Sequence, residues 1–301
     1  MNLSKNQNII IQGITGKEAK YWVKKMINYG TEVVAGSSPG KGGQYFENVP
    51  IYDTVKEAVK NHNIDTSILF IPPKYVKIAA KEAIEAGIKQ LIILADGVPV
   101  HDTMSIINFA ELYKTTIFGP NTPGMVFPGH SSLGIMPCWL EHVFTKGSVA
   151  ILSRSGSLGN EISYQITKSG IGIAKFIGIG GDALVGTTFE EVLIELKNDS
   201  EVEGIVIVGE LGGNMEEKAA ERLSEINKPI FAFIAGKTAP VGIPMGHAGA
   251  LIEGSSGTAS SKIDILRNNG VIMADTTDQL SKILKNNFKK QEQLLHHNFL
   301  Q

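Results

Sequence analysis

Short, β-branched apolar runs alternate with amphipathic stretches along the chain, beginning with IIIQ at 9–12 and a helical period over 17–29. This alternation predicts βα units around a buried parallel sheet, whose strands carry apolar side chains on both faces. In the first half, strands are expected at 9–12, 32–35, 67–71, 91–94 and 116–118, with helices near 17–29, 54–61, 74–86 and 102–113. From 119 to 147 Pro and Gly interrupt any helical period, and the segment after GPNTPG reads as a linker. The alternation restarts with strands at 148–152, 173–177, 204–208, 230–234 and 271–273, and helices at 157–168, 187–197, 215–226, 258–268 and 276–287. The expected class is α/β with two doubly wound domains: 1–120, a linker at 121–147, 148–290, and a tail at 291–301.

Composition narrows the functional classes. A chain of 301 residues is long enough for two domains with ample core. Its 28 Lys+Arg against 30 Asp+Glu give a formal charge of −2, so no basic field for nucleic acid is expected. A single cysteine, Cys138, cannot form an internal disulfide, and no apolar run reaches the ~18 residues of a membrane span. A soluble, cytoplasmic protein acting on small molecules is expected, with no metal site of its own.

In open parallel sheets, ligands bind beyond the carboxyl ends of the strands. Four loops leave second-half strands there: SRSGSLG, GIGGD, GELGG, and the stretch AGKTAPVGIPMGHAGA that carries His247. Glycine turns let backbone N–H groups approach an anion, and a helix N-terminus such as Ser155-Gly156 adds partial positive charge. A histidine between glycines, as in PMGHAGALIEG, could accept a phosphoryl group, with Glu210 fixing the reactive tautomer. The plainer alternatives are a loop histidine bonded to a carbonyl and a carboxylate capping a helix. Lys41 in SSPGKGG is either part of a phosphate cradle or a solvated lysine. AGKT lacks the first glycine of a P-loop, and GITG does not complete a dinucleotide fingerprint.

Taken in order, GITG, SPGKGG, GPNTPG, SRSG, GIGGD, GELGG and MGHAGA resemble the alpha subunits of succinyl-CoA synthetase across nearly the whole chain. The resemblance implies an N-terminal Rossmann-like domain that binds coenzyme A and a C-terminal flavodoxin-like ligase domain. It implies reversible acid–CoA ligation through an acyl phosphate and a phosphohistidine. It also implies an ATP-grasp beta subunit, in a heterodimer or heterotetramer, which binds ATP or GTP with Mg2+. His247 then matches the phosphorylated histidine, Glu210 the carboxylate that orients it, and Ser155 and Gly156 the helix start that holds the phosphoryl group. Thr15, Gly16, Lys17, Glu18, Lys41, Leu94, Ala95 and Asp96 match CoA-contacting positions. In SRSGSLGNE the chain departs from the succinate enzymes, with Asn160 where they carry a tyrosine; the Asn160-Glu161 pair is shared with ATP-citrate lyase. Succinate is the leading acid and malate or citrate the alternative. A non-catalytic CoA-binding regulatory module is the reading from another class.

Overall fold

The computed structural model describes residues 1–240, 242–243, 245–252 and 257–298. Pro244, Glu253 and Gly254 of the histidine loop, and residues 299–301 of the expected tail, lie outside the described residues. The first sheet contains β1 (Ile9–Gln12), β2 (Val33–Ser37), β3 (Tyr45–Phe46), β4 (Val49–Tyr52), β5 (Thr66–Leu69), β6 (Gln90–Ile93) and β7 (Thr116–Phe118) in the order β3-β4-β2-β1-β5-β6-β7. Between them run α1 (Lys17–Tyr29), α2 (Val55–Asn61), α3 (Val76–Glu85) and α4 (Val100–Tyr113). With the antiparallel edge strand β3 set aside, this is the strand order of dinucleotide-binding domains, and the chain changes direction between β1 and β5.

The second sheet contains β8 (Gly124–Phe127), β9 (Ser131–Gly134), β10 (Lys146–Ser153), β11 (Ile173–Gly178), β12 (Gly204–Glu210), β13 (Ile230–Ala235) and β14 (Ile272–Ala274), in the order β14-β13-β12-β10-β11-β8-β9. Its helices are α5 (Gly156–Lys168), α6 (Phe189–Leu196), α7 (Met215–Ala220), α8 (Ala259–Asn268) and α9 (Thr277–Asn298). Strands β10 to β14 are parallel in the flavodoxin-like order, so the loops after β10, β11, β12 and β13 open at one edge.

Three expectations need correction. The stretch read as a linker supplies the hairpin β8–β9, which adds antiparallel to β11. Its facing residues Gly124 and Gly134 both have positive φ, and a Cβ on either would strike the opposite backbone, so the pairing depends on glycines that read as loop signals. The helix expected at 215–226 stops at Ala220 and is followed by a short 3-10 turn at Leu223–Glu225. The last helix runs on to Asn298, so most of the expected tail is helix.

One apolar core is continuous through both domains. It joins Val23 and Met26 of α1 to Met125 and Leu133 of the hairpin, and reaches Leu193 of α6 and Leu266 of α8. Separate clusters fill the outer faces under α3 and α4, and under α5 and α9. Polar stitches hold the junction in register: Thr31 Oγ1 donates to the Ser132 carbonyl at 2.8 Å, and the Asn121 amide to the Ala95 carbonyl at 2.8 Å.

Candidate active site

The loop after β13 brings His247 back over the neighbouring strand. Its Nδ1 lies 2.8 Å from Oε2 and 3.0 Å from Oε1 of Glu210, the last residue of β12. With a carboxylate as acceptor, Nδ1 carries the proton, and in the neutral ring Nε2 keeps a free lone pair. The Glu210 bond raises the His247 pKa above its ordinary value of 6.5, with burial opposing. Gly181 makes room for the ring, because a Cβ there would stand 2.6 Å from His247 Cγ. The loop returns through Ala250, whose amide donates to the His247 carbonyl at 3.1 Å, and Gly249, whose amide donates to that of Gly181 at 3.2 Å.

Behind Glu210 lies a buried charge network. Arg154, 3% exposed, places Nη2 3.2 Å from Glu210 Oε1 and Nη1 3.9 Å from Glu216 Oε1. Glu216 on α7 accepts the Glu210 amide at 3.1 Å and pairs with Lys262 of α8. Lys262 Nζ also donates to the Gly212 carbonyl at 2.6 Å, and Glu216 and Lys262 are both fully buried. Arg154 thus fixes the carboxylate that holds the imidazole, and Glu216, paired with Lys262, fixes the backbone amide behind it. The sequence reading missed Arg154, Glu216 and Lys262 as site residues. The signal was present for two of them: Lys262 falls on the apolar stripe Ala259, Ile263, Leu266 of its helix, and Glu216 on that of Ala219 and Ala220.

In the first domain a cleft of about 620 Å³ opens at the switch point. It is lined by Gly16, Lys17, Glu18, Trp22, the strand end Leu69–Pro72, and Leu94, Ala95 and Asp96. Gly16 heads α1 without a side-chain cap, so amides of the first turn are left for an incoming anion. Gly13 turns at φ 81° against the Phe70 backbone, an approach that any Cβ would block. Thr15 Oγ1 lies 2.8 Å from Ser38 Oγ, which ties the first loop to the second. Exposed on that second loop is Lys41, beyond Ser37 and Pro39, which wall a further cavity of about 350 Å³. A long phosphorylated ligand fits this combination of open helix end, lysines and apolar cleft.

Not all expected residues converge on the imidazole. Ser155 caps α5, accepting the Leu158 amide at 3.2 Å, and Gly156 packs on Pro123; they adjoin Arg154 and make no bond to the ring. Asn160 is half-buried on α5 with its Oδ1 unpartnered among the described residues, whereas Glu161 is exposed and accepts from Gln165 Nε2 at 2.8 Å. Among the described residues, no group of three His, Cys, Asp or Glu side chains has metal-binding geometry, and no helix is long and apolar enough to cross a membrane.

Residues 4–97 match the CoA binding domain family and residues 152–272 the CoA-ligase family. Succinate–CoA ligase [ADP-forming] subunit alpha 1 of Archaeoglobus fulgidus is 44% identical over 274 residues, 91% of this chain and 93% of that one. The ADP-forming sulfoacetate–CoA ligase subunit SqwL of Acholeplasma is 43% identical over 285 residues, 94% of this chain and 96% of that one. Among solved structures, ATP citrate lyase from Methanothrix soehngenii in complex with citrate and coenzyme A shares the fold, with a TM-score of 0.87 at 22% identity. That match covers 98% of this chain and 51% of the lyase chain.

Proposed function

The chain belongs to the CoA-ligase family typified by succinate–CoA ligase alpha subunits, an acid–thiol ligase family, and we propose that it works through phosphorylation of His247 in complex with an ATP-grasp beta subunit. The observation that carries this reading is the Glu210–His247 pair at 2.8 Å, on glycine loops at the carboxyl edge of the sheet. Nε2 of the neutral ring bonds the γ-phosphorus of the nucleotide as the P–O bond to ADP or GDP breaks, and the Glu210 carboxylate, accepting the Nδ1 proton's hydrogen bond, stabilises the cationic phosphoimidazole that results. The first-domain cleft takes CoA, with the α1 N-terminus, Lys17 and Lys41 toward its phosphates. The nucleotide and its Mg2+ belong to the partner, since this chain has no P-loop. Incubating the complex with labelled ATP or GTP is expected to give acid-labile, base-stable phosphate on this chain, and His247→Ala to abolish it. Label persisting in the alanine variant would sink the mechanism.

Succinate is the leading acid. A second reading, a different polyanionic acid, is favoured by the sulfoacetate–CoA ligase relative and by Asn160, which offers both a donor and an acceptor in place of a phenol. A competitive assay with succinate, malate, citrate and sulfoacetate, repeated with Asn160→Tyr, separates the two. Succinate turning over far faster supports the first. Another acid winning, with the tyrosine variant shifting preference toward succinate, supports the second.

A further inference from the structure

We propose that Asp182 is the base that takes the proton of the CoA thiol in the thioester-forming step; this deepens the function proposed above and rests on it. Asp182 ends GIGGD at the point where the two domains meet. Asn121 fixes it: its Nδ2 donates to Asp182 Oδ1 at 3.0 Å, its amide to the Ala95 carbonyl at 2.8 Å, and its carbonyl accepts the Gly181 amide at 3.1 Å. Asn121, Ala95 and Asp96 also line the CoA cleft. On the other side, Gly181 abuts the His247 ring. Asp182 therefore stands between the end of the cleft and the imidazole, half-buried, with Oδ2 free of protein partners among the described residues.

A thiol with a pKa of about 8.5 is mostly protonated near neutrality and reacts as the thiolate, so a positioned acceptor is needed. The charged groups around Asp182 are Asp96 from the first domain, His247 from its loop, and Arg154 behind Gly249. Burial raises the Asp182 pKa and Asp96 adds to this, against the Asn121 bond and His247. That direction brings a carboxylate closer to the thiol in basicity. In the step, the S–H proton moves to Asp182, the sulfur lone pair bonds the acyl carbonyl carbon, and the C–O bond to phosphate breaks. Inorganic phosphate leaves with the electron pair, and Asp182 returns its proton to water.

The test uses the full chain with its ATP-grasp partner and Asp182→Asn. Labelling of His247 by nucleotide, and trapping of the acyl phosphate by hydroxylamine without CoA, are expected to stay at wild-type levels. CoA affinity by calorimetry should also stay unchanged. Thioester formation is expected to fall by about 10²-fold near pH 7. It should recover about tenfold per pH unit toward the thiol's own pKa, where the wild-type rate is flat. Asp182→Glu, which keeps a carboxylate, should keep the flat profile. An Asp182→Asn complex with the wild-type thioester rate and profile overturns the proposal. So does the sloping profile appearing in Asp96→Asn and not in Asp182→Asn, or loss of His247 labelling in Asp182→Asn. Failure of wild type itself to label His247 would strike the function proposed above and leave this assignment without its reaction.

Discussion

Lys262→Met removes one cation from the buried network and nearly preserves side-chain volume, so it tests whether that network holds the second domain together. Lys262 and Glu216 are fully buried, and breaking such a pair from one side costs about 3–5 kcal/mol, because the remaining charge is left uncompensated. Arg154 stays 3.9 Å from Glu216, a distance at which an attraction of about 4 kcal/mol is expected at an effective dielectric constant of 20. It also stays 3.3 Å from the Gly212 carbonyl, the other group Lys262 serves. The loss should thus fall at the low end, about 3 kcal/mol. Two domains need not unfold together, so the measurement is hydrogen exchange of individual amides. Protection in β12 and α8 is expected to drop by about 10²-fold, at 1.36 kcal/mol per decade, with β1 and β5 unchanged. Pairing Lys262→Met with Glu216→Leu should return part of the loss, since it removes the stranded charge. Unchanged protection of β12 in the single variant would refute the reasoning.

Two further outcomes follow from the site. The His247 ring, followed by NMR, should titrate above 6.5, and Glu210→Gln should lower the midpoint. Because the folded value is raised, the pair's contribution to stability is fully present below the unfolded pKa and is lost as pH rises through the folded one; stability of the second domain increasing across that window would contradict this. Lys41→Ala should weaken CoA binding by about one to two orders of magnitude and reduce its salt dependence, since a charge-assisted phosphate contact contributes about 1.5–3 kcal/mol. Unchanged titration curves would make Lys41 a solvated loop lysine.

The strands that carry the fold were legible because they are buried on both faces: IIIQ, TSIL and QLII each show four buried positions in a row. What escaped were strands whose chemistry mimics a loop. In β4, VPIY carries Pro50, which a central strand would exclude but which is tolerated here opposite the two-residue edge strand β3. In the β8–β9 hairpin, the facing glycines Gly124 and Gly134 hide a pairing that only close backbone contact can make. Helix α1 was legible to the residue because Gly30, at φ 112°, ends it with a left-handed cap.

Legibility of the site divides along the same physical line. His247, on a loop after a strand, and Glu210, at the end of one, could be picked out because topology points to the carboxyl edge of the sheet whatever their neighbours, whereas Asp96 came from the family resemblance. The supporting charges sit on helices, where a lysine or glutamate is by default solvated, and only its phase against the apolar stripe marks it as buried. That phase has a chemical reason. For Nε2 to be the free nitrogen of the ring, Glu210 has to accept the Nδ1 hydrogen bond, and it does so from a position only 7% exposed. Arg154 beside it supplies the opposing charge, and Glu216 with Lys262 fixes the Glu210 backbone amide from behind. The loop can then be rich in glycine, with Gly246 and Gly249 on either side of His247 in the chain, because the orientation of His247 is set by its carboxylate partner and not by the bulk of its neighbours.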